Sequence, residues 1–274
     1  MPRYEKCIVA FLDILGFKQI IDHAEFENIL GIFQAIITDS EAGKALHHAV
    51  DETDEGLDEK TRSYNKALRR YNDSLNVAQI HVMSDSIVVS TPDSHPESLA
   101  VVVDICDVIQ QKLFNMNTPI LLRGAVAIGD FFSNGNILFG KGLVDAYLAQ
   151  ERYAVYPRVI LPNELTIGRR VSIGRHRDLP KDDDGYYRID SIERYLNVDD
   201  AQSWEEIERS EKYDKLVNLI DVNLNGYSAD GIRQKYLWLR NLFHAIQAQF
   251  IHEEIEGVIA QMGHSSYESR SDVI

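Results

Sequence analysis

The stretch at residues 7–17 reads CIVAFLDILGF and decides the fold of this chain. It opens as a near-continuous run of apolar residues, many of them β-branched or aromatic, which is typical of a strand buried on both faces. One carboxylate, Asp13, interrupts the run, and Gly16 and Phe17 then lead into a helical pattern. An ionised carboxylate at the end of a buried strand is costly unless it is paired or binds a metal. Asp13 is therefore the first candidate site residue, with a helix cap as the alternative interpretation.

A second carboxylate stands in a similar setting at residues 80–90, which read IHVMSDSIVVS. Two short apolar runs flank a polar Ser-Asp-Ser turn, a pattern that predicts a hairpin with Asp85 at its tip. Taken alone, Asp85 is equally well explained as an ordinary turn residue. If Asp13 and Asp85 converge, their oxygens would hold one or two hard divalent cations.

The elements around these two motifs predict an α+β fold. Between residues 5 and 165 the order is strand, helix, hairpin, helix, hairpin, helix, strand, which predicts a central mixed or antiparallel sheet flanked by helices. Residues 18–40 predict an amphipathic helix broken near Gly31, and residues 41–76 predict a polar helical extension with a loop near Gly56. The second hairpin is predicted from a strand at residues 120–128, a turn at 129–136 and a short return strand.

Charge and composition exclude several classes of function. The formal net charge of the 274 residues is −15, which argues against a nucleic-acid backbone or an anionic membrane surface as partner. No apolar stretch approaches the length of a membrane span, and the N-terminus enters a strand pattern without a signal peptide. The two cysteines, Cys7 and Cys106, both lie in apolar runs and are interpreted as small buried hydrophobes. These features predict a cytoplasmic protein.

Two motifs together resemble the class III nucleotidyl cyclases: FLDILGF at residues 11–17 and Met83-Ser84-Asp85-Ser86. More specifically, the chain resembles the pyrimidine cyclases of the bacterial Pycsar anti-phage defence systems. The stretch LRGAVAIG at residues 122–129 and the helix around residues 235–239 are similar to that group. The resemblance implies a ferredoxin-like cyclase core over residues 5–165. Residues 166–274 would be a mostly helical C-terminal extension packed on that core.

The resemblance also implies an activity. It is the conversion of UTP to 3′,5′-cyclic UMP and diphosphate by two-metal catalysis, with Mn²⁺ or Mg²⁺ held by the Asp13 and Asp85 carboxylates and the Ile14 carbonyl. Such enzymes build each active site between two domains, which implies a homodimer with composite sites. The product would be a second messenger for a separate antiviral effector. A cytidylate cyclase and a catalytically degenerate nucleotide-binding module remain the alternatives.

Four further residues are candidates for substrate binding. Backbone amides at residues 15–17, with Phe17 at the helix start, suit triphosphate oxygens. Arg123 lies mid-strand among apolar neighbours, where it contacts either the nucleotide or a core carboxylate. Lys141 opens a helix in a Gly-Lys-Gly turn and is either a phosphate contact or a plain surface lysine. His81 stands where purine-cyclising relatives carry a base-reading lysine, and its alternative role is that of an ordinary strand residue.

The chain departs from the resembled family on its later helix. Relatives carry an asparagine and an arginine there that stabilise the transition state, whereas this chain reads VDAYLA at residues 144–149. Losing one preorganised contact typically costs about a hundred- to a thousandfold in rate. Either another cation, such as Arg123 or one from the partner subunit, substitutes, or the enzyme is slow. The missing purine-reading groups favour a pyrimidine substrate, because an unmatched polar base edge is strongly rejected.

The C-terminal part of the chain predicts one long helix, at residues 232–251. Apolar residues spaced for packing on one side of it are Tyr236, Leu239, Phe243, Ile246 and Phe250. Burying even a few of them would contribute about 1.5–3 kcal/mol each. We therefore expect this helix to be part of the folded protein.

Overall fold

The structure is a computed structural model that describes residues 4–37, 46–48, 50, 57–135, 137–171, 178–226 and 230–268. The chain divides into two compact units, Met1–Ser191 and Ile192–Ile274. The strands are β1 (Glu5–Ile14), β2 (Gln79–Met83), β3 (Ser86–Pro92), β4 (Leu122–Asn134), β5 (Ile137–Phe139), β6 (Val159–Leu161) and β7 (Tyr187–Arg188). The helices are α1 (Phe17–His23), α2 (Phe26–Ile37), α3 (Glu59–Asn76), α4 (Ser98–Phe114), α5 (Lys141–Tyr153), α6 (Asn163–Thr166), α7 (Ser191–Tyr195), α8 (Trp204–Glu208), α9 (Glu211–Gly226) and α10 (Asp230–Glu268).

The described strands form one seven-stranded sheet in the first unit, in the order β2-β3-β1-β4-β6-β7, with β5 paired to β4. β1 lies between β3 and β4 and is antiparallel to both, β4 and β6 are parallel, and the remaining pairs are antiparallel. This mixed sheet with its helices confirms the predicted α+β class. The apolar run of β1 follows from its central place, because successive side chains point to opposite faces and both faces are covered.

Helices pack on both faces of the sheet. On one face, α4 contributes Val102, Cys106 and Ile109 to the main core, which also contains Ile8 and Leu12 of β1. On the other face, α5 packs against β1 and β4. Where α5 crosses the sheet, Gly142 of the helix lies against Gly129 of β4. The lack of side chains at these two glycines allows the short distance between helix and sheet.

Gly129 and Gly31 make a matched pair of tests, because an added side chain would meet neighbouring atoms at Gly129 but not at Gly31. A Cβ added to Gly129 would lie 2.7 Å from the amide nitrogen of Gly142 in α5, whereas one added to Gly31 in α2 meets no described atom within 4 Å. We expect Gly129→Ala to destabilise the fold by about 1–3 kcal/mol through overpacking. Gly31→Ala should instead stabilise it by about 0.5–1 kcal/mol, because alanine is the better residue inside a helix.

Urea unfolding of both glycine variants beside the parent protein would measure these changes as shifts of the midpoint in opposite directions. Equal shifts, or a stabilising Gly129→Ala, would contradict the close approach of α5 to the sheet.

Two predicted boundaries are wrong. The helical segment after Phe17 breaks at Ala24, which is extended, and Gly31 lies inside α2. The predicted turn at residues 129–136 is strand as far as Asn134, because the end of β4 continues outward to pair with β5. Asn136 and the predicted loop near Gly56 lie outside the described residues.

The second unit contains the predicted C-terminal helix, which is longer than expected and spans Asp230–Glu268. Of the predicted packing positions, four are buried: Leu239, Phe243, Ile246 and Phe250. Within this unit, Phe243 and Phe250 make ring contacts with Trp204 of α8 at centroid distances of 6.0 and 5.8 Å. None of the described helices is long and apolar enough to cross a membrane. The predicted packing of residues 166–274 on the core stays a prediction.

Candidate active site

Asp13 is paired with an arginine. It is the penultimate residue of β1, and its Cα partners are Ser86 on β3 and Arg123 on β4. The Arg123 Nε donates a hydrogen bond of 2.7 Å to Asp13 Oδ2, and the two side chains are 27% and 18% exposed, respectively. The sequence offered a pair with a core carboxylate as one alternative for Arg123. The structure shows an ion pair, but both groups keep access to water, so it is a partly solvated pair at the end of the strand.

Asp85 lies at the tip of the β2–β3 hairpin, beside the end of β1. Met83 pairs with Ser86, so the loop consists of Ser84 and Asp85 only. Ser84 has a φ of 58°, in the left-handed region that is unfavourable for a residue other than glycine. The Asp85 carbonyl accepts a 2.8 Å hydrogen bond from the Ile14 amide. A strained turn costs on the order of 1–3 kcal/mol, and this bond between the hairpin tip and β1 helps to hold it.

The two carboxylate residues are thus neighbours at one end of the sheet. Asp13 pairs with the residue that follows Asp85, and Ile14 is bonded to Asp85 itself. Among the described residues there is no group of three or more His, Cys, Asp or Glu side chains that could hold a metal ion. Two carboxylates with main-chain oxygens nonetheless fit Mg²⁺ or Mn²⁺, since hard cations are often held by one or two carboxylates together with substrate phosphates.

The chain turns sharply after β1. Gly16 has a φ of 75°, which glycine adopts without steric cost, and α1 begins at Phe17 with no side-chain cap. The Leu15 amide donates to the Leu121 carbonyl at 2.9 Å, so this member of the predicted phosphate-binding set is already engaged. The Phe17 ring contacts Phe33 with 5.9 Å between centroids. Any contact of Phe17 with a phosphate would therefore use its main-chain amide.

His81 lies on β2, on the same face of the sheet as Asp13. The register pairs His81 with Val88 and Val88 with Phe11, two residues before Asp13, so the side chains share a face. The His81 Nε2 is 3.1 Å from Ser133 Oγ and 3.3 Å from Gln79 Oε1. Burial lowers the pKa of His81, which favours the neutral imidazole. A neutral ring beside a hydroxyl and an amide can present both a donor and an acceptor.

Lys141 has the contacts of a surface lysine. Its Nζ donates to both carboxylate oxygens of Asp145 one turn along α5, at 2.6 and 2.8 Å, and the side chain is 73% exposed. Such exposed pairs contribute little to stability. The phosphate contact predicted for Lys141 stays a prediction.

Sequence reasoning missed a charged cluster beside β4. The Arg158 carbonyl accepts the amide of Gly124, which follows Arg123. The buried Arg158 guanidinium bonds to Asp182 and Asp184, and Arg188 Nε donates to Asp182 at 3.1 Å. Burial alone would lower the pKa of Arg158, but its hydrogen bonds to Asp184 and Asp182 raise it. The available signal was an arginine directly before an apolar strand, followed at a distance by an acidic turn.

No protein-family model matches the chain, and no curated protein matches it either. Solved cyclase structures are similar to it at low identity. The adenylyl cyclase CyaB from P. aeruginosa is 12% identical, with 61% of this chain and 82% of that chain covered and a TM-score of 0.38. The monomeric guanylyl cyclase domain of the RhoGC fusion protein from the aquatic fungus Blastocladiella emersonii is 14% identical, with coverages of 69% and 98% and a TM-score of 0.40. Likenesses this distant do not assign the chain to a family.

Proposed function

We propose that this chain is a metal-dependent nucleotidyl cyclase of the class III type, with UTP as its substrate. The observation that carries the proposal is the pair Asp13 and Asp85, joined at one end of the sheet by the 2.8 Å bond from the Ile14 amide to the Asp85 carbonyl. Asp13 is a carboxylate residue at a strand end, and Asp85 is one on a strained hairpin tip. Strain of this kind is concentrated at functional sites.

Two divalent cations, Mn²⁺ or Mg²⁺, would be held by the carboxylates of Asp13 and Asp85 and the carbonyl of Ile14. When bound, such ions acidify the attacking hydroxyl and neutralise the charge that develops on the phosphates. In the overall reaction, the ribose 3′-oxygen forms a bond to the α-phosphorus and loses its proton, the bond between the α-phosphorus and the bridging oxygen breaks, and diphosphate leaves.

The protein groups around the carboxylates would bind and orient the nucleotide. The main-chain amides of Gly16 and Phe17 lie at the start of α1, where a helix favours anionic groups. Arg123 is the cation beside Asp13 and is suited to a phosphate oxygen. On the same face, the neutral His81 with Ser133 Oγ at 3.1 Å would meet the polar edge of the base. Holding the 3′-oxygen in line with the α-phosphorus is itself a large part of the rate enhancement.

The choice of a pyrimidine rests on His81. A short neutral imidazole stands where the resemblance places a lysine in purine-cyclising enzymes, and a hydroxyl adjoins it. UTP is our first choice and CTP the alternative. The His81 imidazole and the Ser133 hydroxyl can each donate or accept a hydrogen bond, so they match the polar edge of either pyrimidine base.

Incubation of the purified protein with each of the four nucleoside triphosphates and Mn²⁺, followed by chromatography, tests the proposal. We expect cyclic UMP and diphosphate in equal amounts from UTP. Cyclic CMP as the main product would replace the substrate and keep the reaction. Product from ATP or GTP alone would contradict the role of His81, and no product from any of the four would contradict the proposed reaction.

We also propose that the enzyme works as a homodimer with composite active sites and that its product activates a separate antiviral effector. Support for the dimer comes from large apolar side chains left in water on and beside β5. Ile137 is 60% exposed, Phe139 45% and Tyr4 54%, and Tyr4 and Phe139 are in ring contact. Clustered exposed apolar groups mark interaction surfaces more often than isolated ones do.

One observation favours a second candidate function. On α5, Asp145 and Ala149 stand where the resembled enzymes carry a catalytic asparagine and arginine, and Asp145 pairs with Lys141. A degenerate cyclase-like module would bind a nucleotide at the same site without converting it. Calorimetric binding of UTP and Mn²⁺ without any cyclic product would identify this function.

A further inference from the structure

We propose that Arg123 is the resident counter-cation of Asp13 and that a divalent cation must displace it to bind. The proposal rests on the proposed function and concerns the regulation of the same site. Its observation is the 2.7 Å hydrogen bond from Arg123 Nε to Asp13 Oδ2, the carboxylate assigned to metal binding. Binding of the cation would then release the Arg123 guanidinium toward the triphosphate. The Asp13 carboxylate would thereby exchange one positively charged partner for another.

The two cations compete because they need the same carboxylate. A carboxylate has lone pairs for more than one donor, but a guanidinium and a divalent cation bound to it side by side repel each other at close range. A divalent cation carries the larger charge and binds oxygen at about 2.0–2.1 Å for Mg²⁺. At sufficient concentration the divalent cation therefore displaces Arg123 from Asp13, and the strength of the Arg123 contact determines the cation concentration that is needed.

Arg123 is held loosely enough to leave. Among the described residues its contact with Asp13 is made through Nε alone, and more than a quarter of its side chain is exposed. Arg169 and Asp93 form a contrasting pair in the same unit, with two hydrogen bonds of 2.9 and 3.2 Å. Bidentate arginine–carboxylate pairs are the stronger kind. The Asp93 amide bonds to the Lys6 carbonyl at the opposite end of β1, so this second pair lies far from Asp13.

The first test measures Mn²⁺ binding from the electron paramagnetic resonance signal of free Mn²⁺, with no nucleotide present. We expect Arg123→Gln to bind Mn²⁺ about tenfold tighter than the parent protein, because a charge-assisted hydrogen bond to Asp13 no longer has to be broken. Arg169→Gln, which removes a similarly exposed arginine from a similarly exposed carboxylate, should bind Mn²⁺ as the parent does.

The second test uses the parent protein and does not depend on the folding of a variant. During titration with diamagnetic Mg²⁺, the Nε–H resonance of Arg123 in the ¹⁵N-labelled protein should shift as its partner is lost, while that of Arg169 stays in place. A resonance of Arg123 that does not respond to saturating Mg²⁺ would overturn the displacement.

The results separate this inference from the proposed function. Parent protein that binds Mn²⁺, with Arg123→Gln binding it equally or more weakly, overturns the inference whatever the activity. Tighter binding by Arg123→Gln, together with a parent protein that makes no cyclic product from any nucleotide, supports the inference and removes the proposed reaction. If neither protein binds Mn²⁺, both the inference and the metal site are wrong.

Discussion

Replacing Asp13 or Asp85 with asparagine should lower the rate of cyclic UMP formation by about a thousandfold or more. Each substitution keeps the size of the side chain and removes the negative charge that would hold the cations. Asp85→Asn would keep the main-chain carbonyl that accepts the Ile14 amide, so the hairpin tip should stay bonded to β1. The measurement is the initial rate at saturating UTP and Mn²⁺, followed by chromatography of the cyclic product.

Asp93→Asn is the matched control for this prediction. Asp93 is a partly buried carboxylate paired with an arginine, as Asp13 is, but it lies at the other end of β1. We expect this control variant to lose some stability and to keep its rate. If Asp13→Asn or Asp85→Asn formed cyclic UMP at the parent rate, the reacting centre would lie elsewhere.

The rate of a double variant that carries both Asp13→Asn and Asp85→Asn tests whether the two carboxylates act in one site. If Asp13 and Asp85 hold the same cations, removing one carboxylate already disables the site, and the second removal should cost little more. Such non-additivity is the behaviour of residues that act as a unit. Losses that multiply would indicate that the two residues act in separate sites.

The sequence predicted the carboxylate motifs because both depend on local patterns. A continuous apolar run of this length indicates a strand with both faces covered, and β1 lies between two other strands in the sheet. Apolar runs flanking Ser-Asp-Ser indicated a hairpin, and Asp85 is in its two-residue loop. That Asp85 lies beside Asp13 depends on β3 pairing with β1, which no local pattern fixes.

The remaining contacts of the candidate site depend on long-range geometry. Ser133 reaches His81 across 52 residues only because β4 continues beyond the predicted turn at Gly129. The pairing of Arg158 with Asp182 and Asp184 likewise spans a segment whose path the sequence pattern does not indicate. Arg123 was predicted to meet an anion, but the choice between nucleotide and carboxylate depends on register, because only pairing with β1 puts it opposite Asp13.

Replacing Phe139 with aspartate should convert the proposed dimer to monomer and abolish most of the activity with it. Phe139 lies on β5 and contacts Phe132 and Tyr4 at ring-centroid distances of 5.0 and 5.6 Å, yet 45% of it remains exposed. If this cluster is covered by the partner subunit, a charge there would be removed from water without a partner. That cost is several kcal/mol, enough to dissociate a dimer of moderate affinity.

Sedimentation velocity and activity over the same range of protein concentrations would test the dimer. The matched control is Ile167→Asp, which puts the same charge in place of an apolar residue that is 73% exposed at the end of α6. We expect this variant to remain dimeric and active, whereas Phe139→Asp should sediment as a monomer with its rate reduced by about a hundredfold or more, the scale of losing part of a composite site. If the proposed composite sites each need two subunits, the specific activity of the parent should also fall on dilution, in step with its dissociation. A parent protein that is monomeric where it is fully active would show that one chain completes the site alone.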